Sequence, residues 1–182
     1  IKAIIWGFVI IFLMGLIGSN LMLLTHTNYH AELQKTLTTT PILPVTIGMI
    51  TTAFLQEILF RKWIFTWLAP YSKTAVLVST GLFCLFHMPT NLAYLTLYIG
   101  MGLALSMVYQ KRENLSASIT LHVLWNLYTL GATILVMTNP MWLRIFSQFF
   151  ITFKILSIKK SEALTSDFLY WLKVEELEQS YS

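Results

Sequence analysis

The sequence predicts an all-α protein: a polytopic transmembrane bundle of about six spans. Three observations carry that expectation. Of 182 residues, 56% are hydrophobic and 11% charged, less than half of the roughly 25% charge usual in soluble domains. The apolar residues fall in runs close to the ~20 residues that a membrane helix needs. Short connections rich in proline, asparagine and lysine separate those runs. The length suits one helical bundle and no second sizeable domain. Residues 1–158 are therefore expected to form the bundle, and residues 159–182 a short polar cytoplasmic tail.

The first span is expected at Ala3–Leu24. It exceeds the apolar core of a signal peptide and no small-residue cleavage site follows, so it reads as a membrane helix. The chain begins at Ile1 rather than Met, which leaves room for upstream residues. His26 and His30, four apart, fall in an exterior connection read as a solvated loop in preference to a metal pair. Thr38–Pro41 and Pro44 mark a break, after which the second span is expected at Pro44–Leu68. Ala69-Pro70-Tyr71-Ser72 turns the chain into a short third span, Thr74–Met88. The fourth, Leu92–Gln110, contains Gly100, Gly102 and Ser106, small residues that permit close helix approach. The fifth is Leu115–Met137, followed by an Asn139-Pro140 turn. The sixth, Met141–Ile158, carries Arg144 and Lys154 and so is expected to lie partly in the interface. In the tail, Leu169, Leu172, Val174 and Leu177 suggest one short amphipathic helix.

Charge orients the bundle. If six spans alternate, Lys2, Lys62, Lys73, Lys111, Arg112, Lys159 and Lys160 share one side, and Lys35 alone occupies the other. The positive-inside rule then places both termini in the cytoplasm. Trp63, Trp67, Tyr71 and Tyr109 suit an interfacial belt on that side. The net charge of +4 is spread between apolar spans, which argues for contact with membrane lipid and against nucleic acid. A lone cysteine, Cys84, excludes an internal disulfide.

Within the apolar bulk, Glu57 is the single carboxylate. On a helix, Arg61 follows it by four residues and shares its face. Charge at membrane depth is costly and usually marks a functional site; the alternative is an ion pair that only fixes packing. His87 closes Phe83-Cys84-Leu85-Phe86-His87, which puts Phe83 beneath it. A lone histidine there is more often a satisfied packing residue. His122 and Asn126 repeat the spacing, and an interhelical hydrogen-bond pair is the alternative for them. Depth links the three. Glu57 and His87 flank Pro70 by ~20 and ~25 Å of helix, so a hairpin brings them to nearly one level. His122 enters from the same side, about two turns into its span. Convergence on one polar site is more economical than three packing accidents.

In this order, Gln56-Glu57-x-x-x-Arg61, Phe83-x-x-x-His87 and His122-x-x-x-Asn126 resemble the three motifs EExxxR, FxxxH and HxxxN of the CPBP (Abi) intramembrane proteases. That family includes the type II CAAX prenyl endopeptidases and bacteriocin-processing or immunity proteins. Each motif alone is weak, but the ordered set on apolar spans is specific, and it covers about residues 42–137. The resemblance implies a glutamic endopeptidase with neither cofactor nor metal. In that scheme the first glutamate and the histidine at 87 activate water. His122 and Asn126 stabilise the oxyanion, and Arg61 orients the carboxylates. Peptide hydrolysis does require a general base and donors aimed at the developing oxyanion. Two histidines and a carboxylate could also bind zinc, but no cysteine ligands or HExxH run accompany them.

Position 56 departs from the pattern. An amide keeps the shape of a carboxylate and cannot take a proton from water, and loss of a general base costs about 10²–10⁴-fold. Glu57 lies about 100° further round the helix and does not simply replace it. Gln56 is either native, in a pseudoprotease, or stands where a glutamate was exchanged to trap an inactive form; the shape-conserving exchange leans to the second. The expected function is hydrolysis of a membrane-associated peptide, or of a lipidated or membrane-anchored protein, with Gln56, Glu57, Arg61, His87, His122 and Asn126 as the catalytic set. The competing expectation is a silent membrane adaptor that binds a sensor kinase or cell-wall enzyme. A proton- or ion-coupled transporter is a distant third.

Overall fold

In the computed structural model, residues 1–25, 31–139, 141 and 159 are described. The chain divides into a unit Ile1–Met137 and a unit Thr138–Ser182, and the first holds nearly all of the described residues. Its elements are α1 (Lys2–Thr25), α2 (Ala31–Thr39), α3 (Ile42–Glu57), a π-helix (Ile58–Trp63), α4 (Ile64–Trp67), α5 (Ser72–Phe86), α6 (Leu92–Arg112) and α7 (Leu115–Thr138). Among the described residues every regular element is helical, as composition predicts.

Among the described residues four helices are long and apolar enough to cross a membrane: α1, the continuous rod Ile42–Trp67, α6 and α7. These are four of the six expected spans, counted among the described residues alone. The 15-residue α5 is only ~22 Å long at 1.5 Å per residue, short of a ~30 Å hydrocarbon core. It ends at Phe86, so the expected span Thr74–Met88 loses its last turn. The expected sixth span, the tail helix, His26 and His30 lie outside the described residues.

Two further differences are local. The connection after the first span contains α2, where Leu33, Gln34, Lys35 and Leu37 are good helix formers and Thr38 Oγ1 donates to the Lys35 carbonyl at 2.7 Å. Pro44 does not break the next helix. That helix starts at Ile42, with Pro41 as its N-cap. Pro44 therefore falls in the first turn, where backbone N–H groups have no intrahelical partner.

α6 packs between α1 and α5. A Cβ on Gly7 of α1 would lie 2.9 Å from Val108 Cγ2, one on Gly18 would lie 3.1 Å from the Ala93 carbonyl oxygen, and one on Gly100 would collide with Met14. These pairs run in opposite directions along the two helices, so α1 and α6 are antiparallel and Lys2 lies level with Lys111. On the other side of α6, Gly102 faces Thr80 and Ser106 Oγ donates to Ser79 Oγ at 3.3 Å. The core joins Ile11, Phe60, Phe83, Leu97, Leu105, Leu121 and Trp125. Outside it, Leu43, Leu77 and Leu85 are 66%, 68% and 70% exposed, an apolar outer surface that suits lipid.

Candidate active site

The site begins where α3 widens into the π-helix. Such segments are rare and concentrate at functional sites. Glu57 is the last residue of α3 and Arg61 lies within the π-helix. Both are wholly buried, with Arg61 Nη1 3.1 Å from Glu57 Oε1. His122 of α7 reaches the same oxygen, and its Nδ1–H donates to Glu57 Oε1 at 2.8 Å. Arg61 Nη2 also donates to the Gly102 carbonyl at 3.3 Å. The π-helix, α6 and α7 are thus tied through one carboxylate–guanidinium–imidazole cluster. Glu57 Oε2 and Arg61 Nε have no hydrogen-bond partner among the described residues. Both atoms are buried, where polar groups normally have partners.

His87 joins the cluster through an aromatic ring. Phe83 lies under the Arg61 guanidinium, 4.6 Å from Cζ to ring centroid. The same ring is 4.4 Å from the His87 centroid and 5.7 Å from that of His122. Tyr98 also packs against His87, with ring centroids 4.5 Å apart. His87 Nδ1–H donates to the Phe83 carbonyl at 2.8 Å. A carbonyl accepts only, so Nδ1 carries the proton in this bond and Nε2 keeps its lone pair. His87 is half-buried and within electrostatic range of both His122 and Arg61.

The remaining two positions stand apart from that cluster. Gln56 is buried, at 6% exposure, and makes no hydrogen bond to Glu57, His87 or His122. Asn126 Nδ2 donates to the Met49 carbonyl of α3 at 3.1 Å, not to the carboxylate cluster, which leaves its second N–H and its Oδ1 unassigned. Among the described residues no three His, Cys, Asp or Glu side chains come close enough to hold a metal ion. Residue patterns pointed to Phe83 only as a neighbour of His87 and to Gly102 only as a place of close approach, and they missed the Gly102 and Met49 carbonyls and Tyr98 as parts of the site. A backbone carbonyl leaves no mark in a sequence; Tyr98, as an aromatic on the adjoining span, did leave one.

An apolar groove of about 940 Å³ runs beside the site. Leu59, Phe60, Trp63 and Trp67 form one wall and Leu82, Leu85 and Phe86 the other. It adjoins the site directly, because Phe60 stacks edge-on against Phe83 at 5.7 Å and Phe86 lies 6.0 Å from His87.

Residues 38–128, half of the chain, match the family model for type II CAAX prenyl endopeptidase Rce1-like proteins. The chain belongs to this family. The Rce1-like match takes in every motif residue named above and most of the CPBP-like core expected at 42–137. One relative is the UPF0177 protein YvdC of Lactococcus lactis subsp. lactis (strain IL1403), 34% identical over 100 residues. The matched stretch covers 54% of this chain and 37% of that protein, so the chain spans little more than a third of that relative's length. No solved structure matches. With four helices apolar and long enough to span, membership of the Rce1-like family makes this an integral membrane protein.

Proposed function

We propose that the chain is the membrane core of a CPBP-type endopeptidase, which hydrolyses a peptide bond in a membrane-associated peptide or in a lipidated or membrane-anchored protein. Family membership supports the class. The observation that carries the reading is the bonded Glu57–Arg61–His122 cluster, with the His87 lone pair beside it. In this scheme His87 Nε2 and the residue at 56 take the proton of the attacking water. The oxyanion is met by His122 Nε2 and by the free N–H of Asn126. To donate there, His122 must carry both ring protons, and the Glu57 carboxylate on Nδ1 is the counter-charge to that form. Arg61 holds the carboxylate in place. The groove beside His87 receives an apolar segment or lipid chain of the substrate. Both termini face the cytoplasm, with Lys2, Lys62, Lys73 and Lys111 at that end.

Glutamine at 56 makes the chain as written slow or silent. A second reading, the adaptor that binds a membrane protein partner, rests on that same residue. Purified full-length Gln56→Glu and Gln56→Glu/His87→Ala proteins, incubated with a panel of prenylated, leader and membrane-anchored peptides, distinguish the two. Cleavage is expected from the first and about 10²–10⁴-fold less from the second. If restored glutamate cleaves nothing while a partner co-purifies equally with the unaltered chain and with His122→Ala, the adaptor reading replaces the protease.

A further inference from the structure

A second groove, of about 540 Å³, lies on a different flank, between the start of α1 and the end of α6. Its walls are Ala3, Trp6, Gly7, Ile10, Ala104, Met107 and Val108, and its only charged lining residues are Lys2 and Lys111. The antiparallel register that sets Gly7 against Val108 puts both lysines at one end of it, level with each other. The apolar walls extend away from them along both helices: from Lys2 to Ile10 is ~12 Å and from Lys111 to Ala104 ~10 Å, at 1.5 Å per residue. Trp6 is 67% exposed beside the lysines, where an indole at a membrane interface sits. Neither lysine has an ion-pair partner among the described residues.

We infer that this groove binds one anionic glycerophospholipid, its phosphate held between Lys2 and Lys111 and an acyl chain laid along Ala3, Ile10 and Met107. Two ammonium groups at one level, at the mouth of an otherwise apolar slot, complement a phosphate joined to a hydrocarbon chain. A peptide helix would leave both charges unanswered, and a zwitterionic lipid would set its own cation against them. The volume lies within the ~300–1,000 Å³ of small-molecule sites. Beneath it Gly7 lets α1 close on the core, since any side chain there would meet Leu121 as well as Val108. This site is separate from the proteolytic reading and stands or falls without it.

The test uses the full chain in detergent and in nanodiscs. Lipid retention by native mass spectrometry and thermal unfolding are compared for phosphatidylglycerol and phosphatidylcholine of identical chains, with inorganic phosphate in a third arm. Phosphatidylglycerol is expected to be retained as a single copy and to raise the unfolding temperature more than phosphatidylcholine, and phosphate alone is expected to do neither. Lys2→Gln/Lys111→Gln should weaken that retention roughly 30-fold. Lys35→Gln/Lys73→Gln, which removes two lysines outside both grooves, should leave it unchanged. Ala3→Trp fills the slot with both lysines kept, and should also displace the lipid. Equal retention of the two lipids, equal loss from both lysine pairs, or a shift from phosphate alone each overturns the inference.

Discussion

Glu57, Arg61 and His122 are enclosed and bonded to one another, whereas His87 and Asn126 are half-buried and each is tied to a single backbone carbonyl. The first group pairs its charges within the protein, although Glu57 Oε2 and Arg61 Nε stay without a partner among the described residues. The second is held by one bond each, and His87 retains a lone pair and Asn126 an N–H. A buried ion pair is poor evidence for stability, because desolvation offsets the attraction, yet removing one partner is costly. The enclosed group is therefore suited to holding charges at fixed points, His122 among them for the oxyanion of the proposed reaction, and the half-open group to giving a reactant access. The border between them is the Phe83 ring, which touches both Arg61 and His87.

The sharpest way to break this contrast is to remove one ion. Arg61→Leu leaves Glu57 buried with His122 as its only partner, and the expected loss is about 3–5 kcal/mol, read by thermal or denaturant unfolding in detergent. Glu57→Leu/Arg61→Leu should recover a large part of it, since no unpaired charge remains. If Arg61→Leu costs less than about 1 kcal/mol, the enclosed group is not held together by its charges.

A smaller effect is expected where the enclosed group rests on backbone. Gly102 offers its carbonyl to Arg61, and a Cβ there would lie 2.9 Å from Thr80 Cγ2 and 3.2 Å from the Thr80 backbone Cα. The second contact cannot be relieved by turning a side chain. Gly102→Ala should push α5 from α6 and lose about 1–3 kcal/mol, the usual range for overpacking. Gly48 and Gly131 meet nothing within 4 Å, so Gly48→Ala and Gly131→Ala are the matched controls and should cost nothing. A control that costs as much as Gly102→Ala would show that the effect belongs to glycine in a helix and not to this contact.

Local periodicity explains which parts of this arrangement were legible in the sequence. Glu57 and Arg61 meet because residues four apart share a helical face, and the same rule puts Phe83 under His87. The apolar runs revealed the long helices to within a few residues. Three features depend on distant packing and were hidden. The π-helix at Ile58–Trp63 is a change in hydrogen-bond pattern, with no residue preference to announce it. Gly102 was readable as a place of close approach, but Thr80 as its neighbour depends on the register between two helices. The Asn126 bond to the Met49 carbonyl joins residues 77 apart, and a carbonyl is the same in every residue. The expected third span runs two residues past the end of α5 at Phe86, to Met88, although Pro89 already marks a break there.

That stop carries the smallest expected effect, on the half-open side of the contrast. α5 ends with His87 N–H donating to the Cys84 carbonyl at 3.2 Å and Met88 N–H to that of Leu85 at 3.0 Å. Met88 then turns left-handed, with φ 43°, a conformation that costs a side-chain-bearing residue roughly 1–2 kcal/mol. Pro89 follows and narrows its choices further. Met88 is 80% exposed, so its side chain repays little of that strain through packing. Glycine accepts the angle freely but loses about 0.5–1 kcal/mol more chain entropy on folding. Met88→Gly should therefore stabilise by up to about 1 kcal/mol, whereas Met88→Val, β-branched at a positive φ, should destabilise. Neither change touches the His87–Phe83 bond or the enclosed cluster. If Met88→Gly instead loosens His87, seen as faster exchange of its ring signals by NMR, the strained turn is part of what holds the half-open side in place. A gain in stability with unchanged His87 signals would show that the imidazole is held by Phe83 and Tyr98 alone.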